Sequence, residues 1–133
     1  MNRRVKQTVL VLSLVLVTVS PANSVSPPNP TPSDGLENTA GGTGALLNNV
    51  TGERNTTFGF EALVSNTTGS SNTAFGYSAF HSNTTGYYNM ASSSGALGRN
   101  TTGSYNTASG ELALSGNTTG WSALSLCLCE SVR

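Results

Sequence analysis

The sequence predicts an all-β fold: a short parallel β-roll or β-solenoid of about five 17-residue coils. Three observations carry that expectation. A 17-residue unit repeats five times without a gap, beginning at Asn38, Asn55, Asn72, Asn89 and Asn106. Five unit positions never vary, namely Asn at 1, Ala at 8, Asn at 12, Thr at 14 and Gly at 15. Every unit holds at least two glycines, and no apolar stripe at helical spacing survives a unit boundary. A fixed period with invariant turn residues marks a solenoid, in which each unit stacks on the next. Repeated glycines without a 3.6-residue apolar period disfavour helix.

Residues 1–24 read as a secretory signal peptide. Arg3, Arg4 and Lys6 precede an apolar run over 9–19, broken by Ser13 and Thr18, and small residues follow at Ser20, Ala22 and Ser24. Cleavage after Ala22 or after Ser24 fits that pattern. The apolar run is shorter than the roughly 20 residues of a membrane-spanning helix, so no stable span is expected once the signal is removed. An uncleaved anchor is the other reading. Removal takes three of the six basic residues and none of the six acidic ones, leaving a net charge of −3. Only Arg54, Arg99 and Arg133 remain as cations, which gives no electrostatic footprint for nucleic acid.

Residues 25–37 contain Pro27, Pro28, Pro30 and Pro32 and read as an extended, semi-rigid linker. The repeats fill 38–122. Their Asn, Thr, Ser and Gly content would also suit a polar low-complexity segment, but disorder has no need of a strict period. Residues 123–133 leave the pattern as an aberrant tail, and read either as a terminal cap or as the truncated or frame-shifted end of a longer array.

Within a unit, the residues predict two short strands of roughly five residues each, separated by two turns. Phe58, Phe60, Phe75 and Tyr77 favour strands, while Asn-Thr-Thr-Gly supplies turn chemistry. Gly at position 15 is expected to take positive φ, and Asn at position 12 to bond its own backbone ahead. Stacking at about 4.8 Å per coil gives a rod about 24 Å long. Asn at position 1 is expected to form a side-chain ladder from coil to coil, as in cross-β stacks. The inward residues are Ala at position 8, the large apolar residue at position 9 (Leu46, Leu63, Phe80, Leu97, Leu114) and the mostly Ala position 3. That core is thin, and aromatic residues concentrate in copies two and three. Either the later coils are looser or other chains supply the missing burial; a homo-oligomer is the expectation.

The units N-T-T-F-G-F-E-A-L and N-T-A-F-G-Y-S-A-F, each followed by S-N-T-T-G, resemble the YadA-like head repeats of trimeric autotransporter adhesins. They are also similar to repeats of phage tail-fibre and bacterial surface proteins. The resemblance covers residues 38–124. It implies a left-handed parallel β-roll, three chains side by side, and a surface for a host-surface, matrix or glycan ligand. It carries no catalytic residues. The unit is somewhat longer than the usual head repeat, and a heptad stalk, membrane-anchor strands and a self-cleaving chaperone domain are not among these residues.

The inventory of reactive groups argues against an enzyme. The chain has one His, one Asp and one Lys, and Lys6 lies in the signal. His81 occupies the variable position 10 and is expected to be an exposed filler. Asp34 lies in the linker, so no Ser-His-Asp arrangement is expected. Glu61 and Glu111, at positions 7 and 6, do not read as a carboxylate pair. No phosphate loop or zinc signature occurs, nor the repeated Asp of calcium-binding β-rolls, so neither cofactor nor metal is expected. Cys127 and Cys129 form a C-x-C that either cross-links chains in an exported protein or is incidental. Six N-x-[S/T] sequons occur, at Asn49, Asn55, Asn66, Asn83, Asn100 and Asn117. In a eukaryotic secretory pathway they could carry glycans, and otherwise they are turn residues. The expected function is that of a secreted or cell-surface structural, adhesin-like module. The alternatives are an ice- or crystal-surface-binding solenoid built on the paired Thr of positions 13 and 14, and a non-functional fragment of a longer array.

Overall fold

The structure, a computed structural model, describes residues 35–126. The signal peptide, the linker as far as residue 34, and Cys127 and Cys129 lie outside the described residues. Six three-residue strands form one parallel sheet in sequence order: β1 (Thr39–Gly41), β2 (Thr56–Phe58), β3 (Thr73–Phe75), β4 (Met90–Ser92), β5 (Thr107–Ser109) and β6 (Leu124–Leu126). Each strand pairs with its equivalent one unit on, as Thr56 with Thr73 and Phe58 with Phe75. The 17-residue period is therefore the circumference of one coil. Among the described residues there is no helix.

Each coil holds one strand, where two were expected. The arc over positions 5–9 cannot extend, because its backbone repeatedly turns left-handed: Gly59 (φ 141°), Glu61 (52°) and Leu63 (53°) in coil two, and Gly76, Ser78 and Phe80 in coil three. The arc still bonds from coil to coil, as in Leu63 N–H to Ala79 O at 3.0 Å and Phe80 N–H to Ala96 O at 2.8 Å. It forms a ladder of turns instead of a second sheet. The left-handed conformation costs a β-carbon-bearing residue roughly 1–2 kcal/mol. Leu63, Phe80 and Leu97 offset that cost by aiming fully buried side chains into the core.

The core is thin, as its residue types dictate. Ala62, Ala79, Ala96 and Ala113 at position 8 line it with Leu63, Phe80 and Leu97 at position 9, while Leu46 and Leu114 close its ends half-buried. Ala74, Ala91 and Ala108 at position 3 complete it from the sheet. In coil two Thr57 replaces Ala there, and its hydroxyl is buried without a hydrogen-bond partner.

Two Asn ladders compensate for the small hydrophobic core. At position 1, Asn72 Nδ2 donates to Asn55 Oδ1 (3.2 Å) and Gly86 O (2.8 Å), while Asn72 Oδ1 accepts from Asn89 N (3.0 Å) and Asn89 Nδ2 (3.1 Å). The expected ladder thus runs from Asn38 to Asn106. A second ladder, unforeseen, runs up position 12. Asn83 Nδ2 donates to Asn66 Oδ1 (2.8 Å) and to Gly86 O (3.1 Å), and Asn83 Oδ1 accepts from Gly86 N (3.0 Å). Each Asn of that ladder closes its own turn and also binds its neighbour.

Gly at position 15 is invariant for a different reason from the one expected. Gly52, Gly69, Gly86 and Gly103 do not take positive φ. A β-carbon on Gly86 would collide with the Gly103 carbonyl and lie 2.5 Å from Asn83 Oδ1. Both Asn ladders converge on this carbonyl, so the backbone there leaves no room for a side chain.

The sixth strand falls at the start of the stretch that leaves the repeat. Ala123 takes position 1, its N–H donates to Asn106 Oδ1 at 2.9 Å, and β6 then pairs with β5 in register. Ala lacks a side-chain amide, so the position-1 ladder ends there.

Candidate functional site

Pleating sends position 3 inward and position 4 outward. Exact stacking then repeats whatever stands at position 4 one strand spacing away. Phe58 and Phe75 therefore lie face to face, centroids 5.4 Å apart and 11° from parallel. Phe60 and Tyr77, two residues on, do the same at 5.3 Å and 9°. The side-chain-free Gly41 makes room for the Phe58 ring: a β-carbon there would lie 2.6 Å from Phe58 Cδ1. All four rings are exposed, from 39% for Phe58 to 61% for Tyr77. Of the seven aromatics in copies two and three, only Phe80 belongs to the core.

A second aromatic cluster occupies positions 16 and 17 of coils three to five. Tyr88 stacks on Tyr105 (5.3 Å, 21°), and Tyr87 sets its edge against Tyr88, Tyr105 and Trp121. Tyr87 and Trp121 occupy the same unit position two coils apart, yet their centroids are 5.7 Å apart. The coil between them carries Ser104, small and wholly buried, whose hydroxyl accepts from Tyr87 N at 3.1 Å. Sequence reasoning missed this cluster. Its signal was available in the replacement of Glu53-Arg54 and Ser70-Ser71 by Tyr87-Tyr88 at the same two unit positions.

A shallow groove of about 520 Å³ opens over coils three to five, where Gly98 leaves coil four without a side chain and Leu112 leans over Gly95, its Cδ2 2.7 Å from where a β-carbon would stand. His81 is half-exposed, and its Nε2 lies 3.6 Å from Glu61 Oε2. Glu61 is thus placed against His81.

The sequon asparagines are structural in this fold. Asn55, Asn66, Asn83 and Asn100 are wholly buried, with their side-chain nitrogens donating within the ladders. Asn49 and Asn117, at the two ends of the position-12 ladder, are half-buried and bonded to Gly52 O and Gly120 O. The threonines divide. At position 13, the hydroxyls of Thr67, Thr84 and Thr101 donate to the carbonyl of the residue one unit on, at 2.9–3.1 Å. At position 14, Thr68, Thr85, Thr102 and Thr119 are exposed.

No family model, curated protein or solved structure matches the chain.

Proposed function

We propose that this chain is a secreted or cell-surface repeat module, structural and adhesin-like, that self-associates side by side and carries no catalytic activity. The observation that supports this most is the outward stripe of Phe58, Phe75, Phe60 and Tyr77. Three of these four rings have no polar handle, and two exposed aromatic stacks on a thin-cored rod are a surface that burial would stabilise. A second copy, presenting the same stripe, is a self-complementary partner, and a ring of three such rods is the arrangement implied by the resemblance to YadA-like head repeats. The signal-like 1–24 segment supports export. Light scattering of the signal-free chain tests the association: a defined oligomer, trimeric in the simplest case, is expected, and a strictly monomeric, well-folded species would overturn it.

The crystal-surface reading retains one supporting feature, the exposed row of position-14 threonines. It is weakened by position 13, where the hydroxyls already donate to backbone carbonyls. Unaltered ice-crystal shape at micromolar protein would dismiss it.

A further inference from the structure

We infer that the groove over coils three to five binds a carboxylate-bearing saccharide, one or two sugar rings in size, with Arg99 holding the acid group. This rests on the surface-module reading and names a ligand class for it. The groove is a local departure from the repeat. Position 10 carries Leu47, Val64 and His81 in the first three copies, then Gly98; position 7 carries Glu61 and Ser78 in copies two and three, then Gly95. The bare Gly98 opens a notch of about 520 Å³, and Leu112 of the next coil leans over Gly95 at its side. That volume lies within the range of about 300–1,000 Å³ usual for small-ligand sites.

The lining supplies the chemistry. Leu112, exposed on coil five, offers an apolar wall against which the C–H face of a pyranose can lie. Ser78 on coil three and Ser115 on coil five also line it, and their hydroxyls suit ring hydroxyls. The charge comes from Arg99. Of the two arginines among the described residues, Arg54 is engaged by Glu37 at 3.1 Å and Glu53 at 3.5 Å, whereas Arg99 makes no ion pair among the described residues. A guanidinium without a carboxylate, at the rim of a notch, complements a planar carboxylate in a two-point fork. Neither Glu61 nor Glu111 lines the groove, and Glu61 faces His81.

The test is calorimetric titration of the signal-free chain with three probes: a disaccharide ending in glucuronic acid, the same disaccharide with glucose in its place, and acetate. The acidic disaccharide is expected to bind at least about tenfold more tightly than either other probe, the margin of one charge-assisted fork. Arg99→Gln should abolish that margin and Arg99→Lys should retain part of it. Gly98→Leu restores the residue that copy one carries at this position, and Ser115→Leu fills the notch from the next coil. Each should remove binding while the circular dichroism spectrum stays unchanged. Equal binding of acidic and neutral disaccharides, acetate binding as tightly as the acidic sugar, no binding at all, or wild-type affinity in both filled variants would overturn the inference. Light scattering of Arg99→Gln separates the two readings: loss of sugar binding in an intact oligomer concerns the groove alone, whereas sugar binding by a monomeric wild-type chain rejects the assembly and spares the groove.

Discussion

At the residue scale, the stack makes each side chain answer to the residue one unit before and one unit after it. Thr57 fails that requirement. It sits between Ala40 and Ala74 in the sheet register, and its buried hydroxyl has no partner. An unsatisfied buried hydroxyl costs about 1–3 kcal/mol. Thr57→Val keeps the shape and removes the hydroxyl, so we expect a stabilisation of about 1 kcal/mol, read as a higher urea midpoint at unchanged slope. Gly86 shows the opposite case. Any β-carbon there meets the Gly103 carbonyl and Asn83 Oδ1, both bound into the ladders. Gly86→Ala should cost about 3 kcal/mol or more, since neither neighbour can move without breaking ladder bonds. A thermal melt no lower than wild type would show that the backbone at position 15 is softer than this geometry requires. The invariance of that Gly was legible in the sequence, but its cause was not. Asn-Thr-Thr-Gly looks like a turn that needs positive φ, whereas the constraint is the carbonyl of the next coil, which no single unit reveals.

At the element scale, the two Asn ladders take over the work that a larger hydrophobic core does elsewhere. Asn72 makes bonds to the coils on both sides and accepts the backbone N–H of Asn89. Asn72→Ala strands that N–H in the interior and leaves the Gly86 carbonyl with Asn83 Nδ2 as its remaining side-chain donor, which should cost about 1–3 kcal/mol. Asn72→Asp should be worse, because a carboxylate faces the Gly86 carbonyl with no hydrogen to donate. Denaturant unfolding of both variants checks the order, and an Asp variant as stable as wild type would contradict the donor role. The position-12 ladder makes a related demand. An N-glycan on Asn83 would replace a hydrogen of the amide that donates to Asn66 Oδ1 and Gly86 O in a site with no solvent access. Expression in a glycosylating host should therefore yield folded chain bare at Asn83, with any glycan confined to misfolded material, as mass spectrometry of the two fractions would show. Much of this level was readable beforehand. Invariant Asn at position 1 announced its ladder, and Ala at positions 3 and 8 announced the lining. The second strand was misread because position 9 pairs a bulky apolar residue with left-handed backbone, a conformation that residues such as Leu63 and Phe80 rarely adopt alone. Only the stacked neighbours impose it.

At the scale of the whole molecule, one strand spacing per coil makes this a quasi-one-dimensional object whose stability is a sum of coil and nearest-neighbour terms. Its candidate functional features are then breaks in translational symmetry. The Phe stripe spans coils two and three, the Tyr–Trp cluster coils three to five, and the groove lies over coils three to five where Gly98 leaves coil four bare. The period itself could not announce them, since a repeat reveals what is shared and these surfaces are what differs. The same symmetry yields a strong test of the architecture. Deleting residues 89–105 removes coil four as a whole and sets coil three directly on coil five. Every structural position then meets its own kind: Asn72 meets Asn106, Asn83 meets Asn117, Ala74 meets Ala108, and Phe80 meets Leu114. We expect a folded, shorter roll with its β signature intact and a melting temperature lowered by the loss of one coil and one interface. Deleting 89–104, one residue fewer, leaves an extra residue in the coil and offsets Asn106, Ala108 and everything beyond by one register position. In a strand that slip turns every inward side chain outward, and both ladders lose their acceptors. The second deletion should therefore unfold the C-terminal coils even though it removes less of the chain. Similar melts for the two deletions would mean that the 17-residue register does not hold the fold together.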